Sequence, residues 1–205
     1  MKKIELSKLG RTLILSPHPD DESLGCGGLL IKNASRCEVV VLTDGRYGGL
    51  LKENKDEVIV RRKKELEEAM KFVGLEKYSF LDIEDGKLSK NFSKFAKLNL
   101  EKFDTIFCPA PGENHSDHAC VFNFILKLKP KARIFAYEVW STLEKPSHYI
   151  DISDLINKKK KLINLYKSQL SQVDYLSRII SLNHYRGMQV YPAIPYLEAY
   201  QELVL

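Results

Sequence analysis

The sequence predicts an α/β fold built on a mostly parallel, doubly wound sheet. Short apolar runs rich in β-branched and aromatic residues recur through the first two thirds of the 205-residue chain. Stretches with helical spacing separate these runs, and polar or glycine-rich strings follow several of them. Such alternation is typical of βαβ units. The length suits one domain with a sizeable core, so we expect residues 1–205 to form a single domain.

Five apolar runs are the predicted strands, at 12–15, 38–42, 78–81, 104–108 and 133–137. In a doubly wound sheet of order 3-2-1-4-5, the first and fourth of these strands are neighbours. The chain direction reverses between them, so their carboxyl ends open a crevice in which ligands bind. Polar strings that follow these two strands should therefore meet.

Two long helices are predicted between and after the strands. The first spans 56–73, with apolar residues on one face and Gly74 as its C-cap. The second spans 153–168, with Ser153 as its N-cap. The expected buried face of the second helix comprises Leu155, Ile156, Leu162, Ile163 and Tyr166.

Arg62 falls on the apolar stripe of the first long helix, where a guanidinium needs a partner. Glu65, three residues further on, would satisfy it within the helix. Alternatively, the side chain reaches a functional site. The pattern leaves both interpretations open.

Composition excludes several classes of protein. Hydrophobic residues make up 44% and charged residues 29%, and no apolar run approaches the length needed to span a bilayer. No secretory signal is evident, so we expect a cytoplasmic protein. The net charge is only +5, and the lysine run 158–161 is interpreted as a solvated helix face, so no nucleic-acid partner is expected. The four cysteines form no CxxC pair and are expected to be reduced and mostly buried.

The glycines at positions 25, 27 and 28 suggest a dinucleotide-binding turn only weakly. The third glycine of that fingerprint is missing, and the acidic residues before the turn would repel a pyrophosphate. Close packing of a helix on a strand explains these glycines equally well.

Two strings of imidazoles and carboxylates carry the chemistry. His18-Pro19-Asp20-Asp21-Glu22 follows the first predicted strand, and His115-Ser116-Asp117-His118 follows the fourth. A catalytic zinc takes three protein ligands and leaves one position for water, and His18, Asp21 and His118 offer such a set. Asp20 would then be a candidate general base. Asp117 could accept the N–H of His115 and hold that ring protonated.

These residues resemble the signatures of a known family. The stretch from Ser16 through the first string to Gly28, together with His115-Ser116-Asp117-His118, is similar to the two signatures of the PIG-L/LmbE family of zinc-dependent N-acetyl sugar deacetylases. The resemblance extends over most of the chain, at 42–45, at Arg62 with Glu65 and Ala69, at 150–169 and at 198–200.

The resemblance implies a Rossmann-like, three-layer α/β fold and hydrolysis of an N-acetyl group from an amino sugar or its conjugate by zinc-activated water. His18, Asp21 and His118 would bind Zn²⁺, although Fe²⁺ or another divalent ion could replace it. Asp20 would be the general base. His115, oriented by Asp117, would stabilise the oxyanion or protonate the leaving amine, and Arg62 would reach the substrate.

The chain departs from the family pattern in two places. Ser116 stands where the family often has proline, which changes backbone stiffness but removes no ligand. Glu113 and Asn114 occupy the loop in which some members carry a tyrosine, so an oxyanion donor besides His115 is not identified.

Two other functions remain as alternatives. The first is a nucleotide- or sugar-binding Rossmann-like module that catalyses nothing. The second is a metal-dependent phosphoesterase, for which the only candidate phosphate-binding cations are Arg62, Arg46 and Arg186. His184 is either a substrate contact or a loop residue. The sequence specifies neither the sugar nor the oligomeric state.

Overall fold

A computed structural model describes residues 1–204 of the chain. Within this range, the strands are β1 (Lys2–Lys3), β2 (Thr12–Ser16), β3 (Cys37–Thr43), β4 (Tyr78–Ile83), β5 (Thr105–Pro109), β6 (Arg133–Tyr137), β7 (His148–Asp151) and β8 (Leu197–Leu203). They form one sheet of order β1-β7-β8-β6-β5-β2-β3-β4. Only β8 is antiparallel to its neighbours, β6 and β7, among the strand pairs of the described range.

The predicted strand order is confirmed. The five predicted strands correspond to β2 to β6, and their spatial order β4-β3-β2-β5-β6 is the expected 3-2-1-4-5. β2 pairs with β3 on one side and β5 on the other, both in parallel. The carboxyl ends of β2 and β5 therefore lie side by side, as the crevice requires.

Helices cover both faces of the sheet. They are α1 (Asp21–Asn33), α2 (Lys55–Val73), α3 (Phe92–Phe95), α4 (Ser116–Leu128), α5 (Ile156–Ile163), α6 (Lys167–Leu170) and α7 (Tyr175–Gly187). Successive residues of β2 point to opposite faces. Ile14 packs in the core formed with α1, α2 and α5, whereas Leu13 and Leu15 pack in the core formed with α3 and α4. The expected three-layer arrangement is thereby confirmed.

The first long helix begins and ends as expected. The Asn54 side chain accepts hydrogen bonds from the backbone N–H groups of Asp56 and Glu57, which caps the start of α2. Gly74 ends the helix in the left-handed conformation, with φ of 75°.

The second long helix was wrongly predicted as continuous. It is divided into α5 and α6, because Tyr166 has non-helical backbone angles. Ser153 is not its N-cap; its hydroxyl instead bonds the backbone of Tyr196. Of the expected buried face, Leu162, Ile163 and Tyr166 are buried, whereas Leu155 and Ile156 are only half-buried.

The lysine run is not uniformly solvated, which corrects a second expectation. Lys159 is fully buried, and its Nζ lies 2.6 Å from Glu198 Oε1 on β8. This buried pair lies against a break in helix α1 at Cys26, whose backbone is non-helical. The break frees backbone groups on both sides. Lys159 donates to the Leu24 carbonyl at 3.0 Å, and Glu198 accepts from Gly28 N at 2.6 Å and from Leu29 N at 3.1 Å. We call this Lys159–Glu198 pair the splint of α1.

The glycines after the first string serve packing. An added Cβ at Gly25 would lie 2.3 Å from the Tyr137 ring, and one at Gly28 would lie 2.3 Å from Ile152. Both contacts are shorter than any real Cβ contact, so these positions need glycine for close approach.

Three of the four cysteines are buried and all are free, which agrees with the expectation of reduced, mostly buried thiols. Burial raises the pKa of both Cys37 and Cys108 to about 12. Among the described residues, no helix has both the length and the apolar character needed to cross a bilayer.

Candidate active site

The two strings meet at the carboxyl ends of β2 and β5. The first string leaves β2 and enters α1, and the second enters α4 after the loop that follows β5. They border a cavity of about 410 Å³, a size typical of small-molecule sites. Its lining includes His18, Asp20, Asp21, Arg62, Asp85, His115, Trp140, Gln169 and Tyr175.

Asp21 contacts both of the other predicted metal ligands, His18 and His118. Asp21 Oδ2 lies 3.2 Å from His18 Nδ1 and 3.1 Å from His118 Nε2, and all three side chains are buried. Within residues 1–204, neither ring nitrogen of His118 has a hydrogen-bond partner of acceptable geometry. Two imidazoles and a carboxylate in this arrangement suit a divalent cation such as zinc.

Carboxylates surround His18 on its other side. His18 Nε2 lies 3.1 Å from Asp85 Oδ1 and 3.5 Å from Asp117 Oδ2. Burial opposes protonation of His18, but Asp117, Asp21 and Asp85 together raise its pKa well above the usual value. Ligand atoms of His18, Asp85 and Asp117 lie within 4.8 Å of one another, as do those of His18, His115 and His118, so either set could hold a metal ion. The excess of negative charge favours a cation.

Asp85 is a site residue that the sequence analysis missed. It follows β4 and binds the backbone N–H of Tyr47, besides its contact with His18. Despite burial, the hydrogen bond with His18 lowers the pKa of Asp85 to about 2. The available signal was its position after the carboxyl end of a parallel strand, in the string Asp85-Gly86.

Asp20 lies beside the metal-capable group and contacts Arg62. Arg62 Nη2 is 3.2 Å from Asp20 Oδ1 and donates to the Pro19 carbonyl, while Nη1 donates to the Gly45 carbonyl. Burial raises the pKa of Asp20 to about 8, although Arg62 acts in the opposite direction. The backbone of Asp20 is unusual, with φ of 144°.

The structure decides between the two interpretations of Arg62. Glu65 does not pair with it; its carboxylate instead binds the backbone and hydroxyl of Ser168 at 2.8 and 2.6 Å. The Arg62 head group reaches the cavity, where it lines the wall next to Asp20.

The expected hydrogen bond from His115 to Asp117 is wrong. Asp117 accepts from the backbone N–H groups of Gly86 and Leu88, and His115 Nδ1 has no hydrogen-bond partner among residues 1–204. Asp117 is the second residue of α4, and from there its carboxylate meets the chain after β4. Burial and the nearby rings of His18 and His118 lower the pKa of His115.

Glu113, in the loop where some family members carry a tyrosine, is buried and does not line the cavity. Neither of its carboxylate oxygens has a hydrogen-bond partner in the described part of the chain. Burial raises the pKa of Glu113, while the His118 ring opposes this effect. Neither periodicity nor spacing in the sequence indicates that Glu113 is buried there.

The outer part of the cavity has one aromatic wall and one polar wall. Trp140 stacks near His115 with ring centroids 6.1 Å apart, and Tyr175 meets Trp140 edge-on at 5.6 Å. Gln169 and Gln172 face them and both donate to the Gly48 carbonyl. These residues are distant in sequence from both strings, which is why motif reasoning did not find them.

The remaining candidates lie elsewhere or are already paired. His184 is exposed on α7, with Nδ1 2.8 Å from the Pro195 carbonyl oxygen, and it does not line the cavity. Arg46 pairs with Asp44, and Arg186 pairs with Glu138. Neither arginine lines the cavity.

Sequence comparison identifies a protein family whose profile covers both strings. The profile of the PIG-L family, described as GlcNAc-PI de-N-acetylase, matches residues 13–129. A diacetylchitobiose deacetylase of Thermococcus kodakarensis is 29% identical over 191 residues, covering 79% of this chain and 71% of the relative.

Solved structures share the fold. An N,N'-diacetylchitobiose deacetylase of Pyrococcus horikoshii superposes with a TM-score of 0.80 at 23% identity, over 94% of this chain and 83% of that one. The 4-carboxy-2-hydroxymuconate hydratase GalB of Pseudomonas putida superposes with a TM-score of 0.74 at 18% identity, over 100% and 97%. The family match spans more than half of the chain and includes both strings, and the chain is therefore a member of the PIG-L family.

Proposed function

We propose that this protein is a divalent-metal-dependent hydrolase that removes the acetyl group from an N-acetylated amino sugar or sugar conjugate. One observation carries the proposal: Asp21 lies within 3.2 Å of both His18 and His118, and Asp20 lines the same cavity as His18 and Asp21. The family match and the deacetylase activity for which the archaeal relative is named support this reaction class.

His18, Asp21 and His118 are the proposed metal ligands. The buried, unbonded nitrogens of His118 fit a cation with nitrogen and oxygen ligands. When bound, a divalent ion such as Zn²⁺ or Fe²⁺ supplies Lewis-acid polarisation and makes water more acidic. Asp85 and Asp117 on the far side of His18 would orient its ring, as carboxylates behind metal-binding histidines do.

Asp20 is the proposed general base. It would take a proton from the attacking water and return one to the leaving amine. A base works best when its pKa lies near the working pH, and burial raises the pKa of Asp20 to about 8 in the metal-free protein. Arg62 holds the carboxylate in place through its 3.2 Å contact.

His115 is the proposed donor to the developing oxyanion or the leaving amine. It lines the cavity on the side of Trp140 and is only half-buried, so a substrate can contact it. A preorganised donor aimed at developing charge is among the largest contributions to catalysis. Arg62 is also the proposed substrate contact, because its guanidinium borders the cavity.

The alternatives receive less support. A nucleotide-binding turn needs bare backbone at Gly25 and Gly28, where the Tyr137 ring and Ile152 instead fill the space. A phosphoester would meet carboxylates in the cavity, and Arg62 is its only arginine and already contacts Asp20. Because the similar fold of GalB is that of a hydratase, the experiment must detect acetate itself.

The test is acetate release from a panel of N-acetylated sugars by metal-loaded protein. We expect Asp20→Asn to lower kcat by roughly 10²- to 10⁴-fold, since that is the usual contribution of a general base, while the bound metal is retained. Asp104→Asn is the matched control, because Asp104 is exposed and lies just before β5, at the amino end of the sheet. Wild-type rates in Asp20→Asn would refute the role of Asp20. A metal-loaded protein that releases no acetate from any sugar would refute the function.

A further inference from the structure

Asp20 has a backbone conformation that it does not adopt without support. Its φ of 144° and ψ of −29° lie outside the regions that L-residues normally occupy. A non-glycine residue in such a region is strained and persists only where its surroundings hold it. The proposed general base therefore needs a group that fixes its main chain.

Glu22 is the side chain that binds the main-chain N–H of Asp20, whose carbonyl accepts from Ser23 N and Leu24 N. Glu22 Oε2 accepts the Asp20 backbone N–H at 3.2 Å and lies 2.9 Å from Ser16 Oγ. Glu22 Oε1 accepts from Ser23 Oγ at 2.8 Å and from the Tyr166 hydroxyl at 2.5 Å. The carboxylate is fully buried and does not line the cavity, so it has no direct access to a substrate.

Tyr166 reaches Glu22 because the second predicted long helix is interrupted between α5 and α6. Its backbone, at φ −85° and ψ 57°, separates α5 from α6 and directs the ring inward. The side chain is 2% exposed, and its hydroxyl contacts only Glu22 and Ser23 among the hydrogen bonds of the described residues. The break between α5 and α6 therefore accompanies the contact of Tyr166 with Glu22.

We propose that Glu22 and Tyr166 are positioning residues that hold the strained main chain of Asp20 so that its carboxylate faces the cavity. The inference rests on the proposed function, in which Asp20 is the general base. Neither residue lines the cavity, and neither is a proposed metal ligand. Tyr166 fixes Glu22, and Glu22 fixes the Asp20 N–H.

Tyr166→Phe tests this relay, because it removes one hydroxyl and keeps the ring. We expect kcat for acetate release to fall about tenfold, the rate equivalent of one hydrogen bond to a charged group. KM should stay within about twofold, and metal content should be unchanged, because the variant alters alignment rather than binding. In a Glu22→Gln background the same change should have little further effect on kcat, since the two act in series.

Tyr200→Phe is the matched control. Tyr200 is also fully buried, and its hydroxyl donates to another buried carboxylate, Glu198 Oε2, at 2.7 Å. It should lose stability to a similar extent and keep its kcat. An equal fall in kcat for both variants, or an unchanged kcat in Tyr166→Phe, would overturn the proposal. Ser23→Ala, which removes the neighbouring donor to Glu22, gives the same test if Tyr166→Phe folds poorly.

A crystal structure of Tyr166→Phe provides a readout that does not depend on activity. We expect Asp20 to leave the region near φ 144° or to occupy two conformations. An Asp20 main chain identical to that of the wild type would overturn the proposal, whatever substrate the enzyme uses. Absence of acetate release by the wild type would instead count against the proposed function alone.

Discussion

The two halves of helix α1 are each held by a buried glutamate, but in different ways. In the first half, Glu22 is bound by hydroxyls and by the Asp20 N–H, all of them neutral groups. In the second half, Glu198 is bound by the Lys159 ammonium and by two backbone N–H groups. Both carboxylates are almost completely buried.

The two glutamates differ in whether a positive charge compensates their own. Burial raises the pKa of Glu22, because hydroxyl donors offset the lost hydration only in part. The splint, by contrast, contains its own counter-charge and satisfies the backbone freed by the break at Cys26. The charge of Glu198 is thus neutralised by an ion pair, whereas Glu22 is bound by neutral groups alone among the described residues.

The largest effect on stability is expected when the cation of the splint, Lys159, is removed. Lys159→Met should lower the free energy of unfolding by about 3–5 kcal/mol, because it leaves the buried Glu198 without its counter-charge. Chemical denaturation measures the change. Lys158→Met is the control, since Lys158 is exposed in the same run and should change stability little. Equal stability of the two variants would mean that the splint contributes nothing.

A smaller effect is expected from crowding the splint. Gly28→Ala should destabilise by about 1–3 kcal/mol, because its Cβ would lie 2.3 Å from Ile152 and 2.9 Å from Glu198 Oε2. At Gly27 the nearest atom to an added Cβ is 3.3 Å away on Leu162. Gly27→Ala should therefore remain within about 1 kcal/mol of wild type, since alanine also favours helix. Thermal unfolding of the two variants distinguishes them, and the reverse order would contradict the packing explanation.

The smallest effect on stability is expected at Glu202, which lies on β8 like Glu198 but forms a partly exposed ion pair. Glu202 Oε1 lies 2.8 Å from Arg133 Nε, and the two side chains are 32% and 45% exposed. Glu202→Gln should cost less than about 1 kcal/mol at pH 7.

The pH dependence of this small cost has a definite sign. The hydrogen bond from Arg133 lowers the pKa of Glu202 below 4.5, so its contribution is present above pH 4.5 and is lost as the pH falls through the lowered value. Unfolding curves of wild type and variant should converge in that range. A cost as large as that of Lys159→Met would show that burial is not what separates the two pairs.

Much of the sheet could be predicted because its signals are local. Apolar runs mark β2 to β6, and polar strings at the ends of β2 and β5 locate the site. The rest depends on distant contacts. No glycine or proline announces the break at Tyr166, and Lys159 resembles its solvated neighbours until Glu198 is placed beside it. Asp85 and Trp140 join the site only through the topology of the sheet.

The position of β8 has a consequence for how the protein is made. This strand is close to the end of the described chain, yet it lies inside the sheet, between β6 and β7, and it supplies Glu198. During synthesis, β7 and β1 have no neighbouring edge to join until residues 197–203 emerge, and the second half of α1 lacks its carboxylate. Until these residues are synthesised, the chain exposes the unpaired edge of β6, a condition under which chains tend to aggregate. Completion of the sheet and stabilisation of the second half of α1 therefore both require β8.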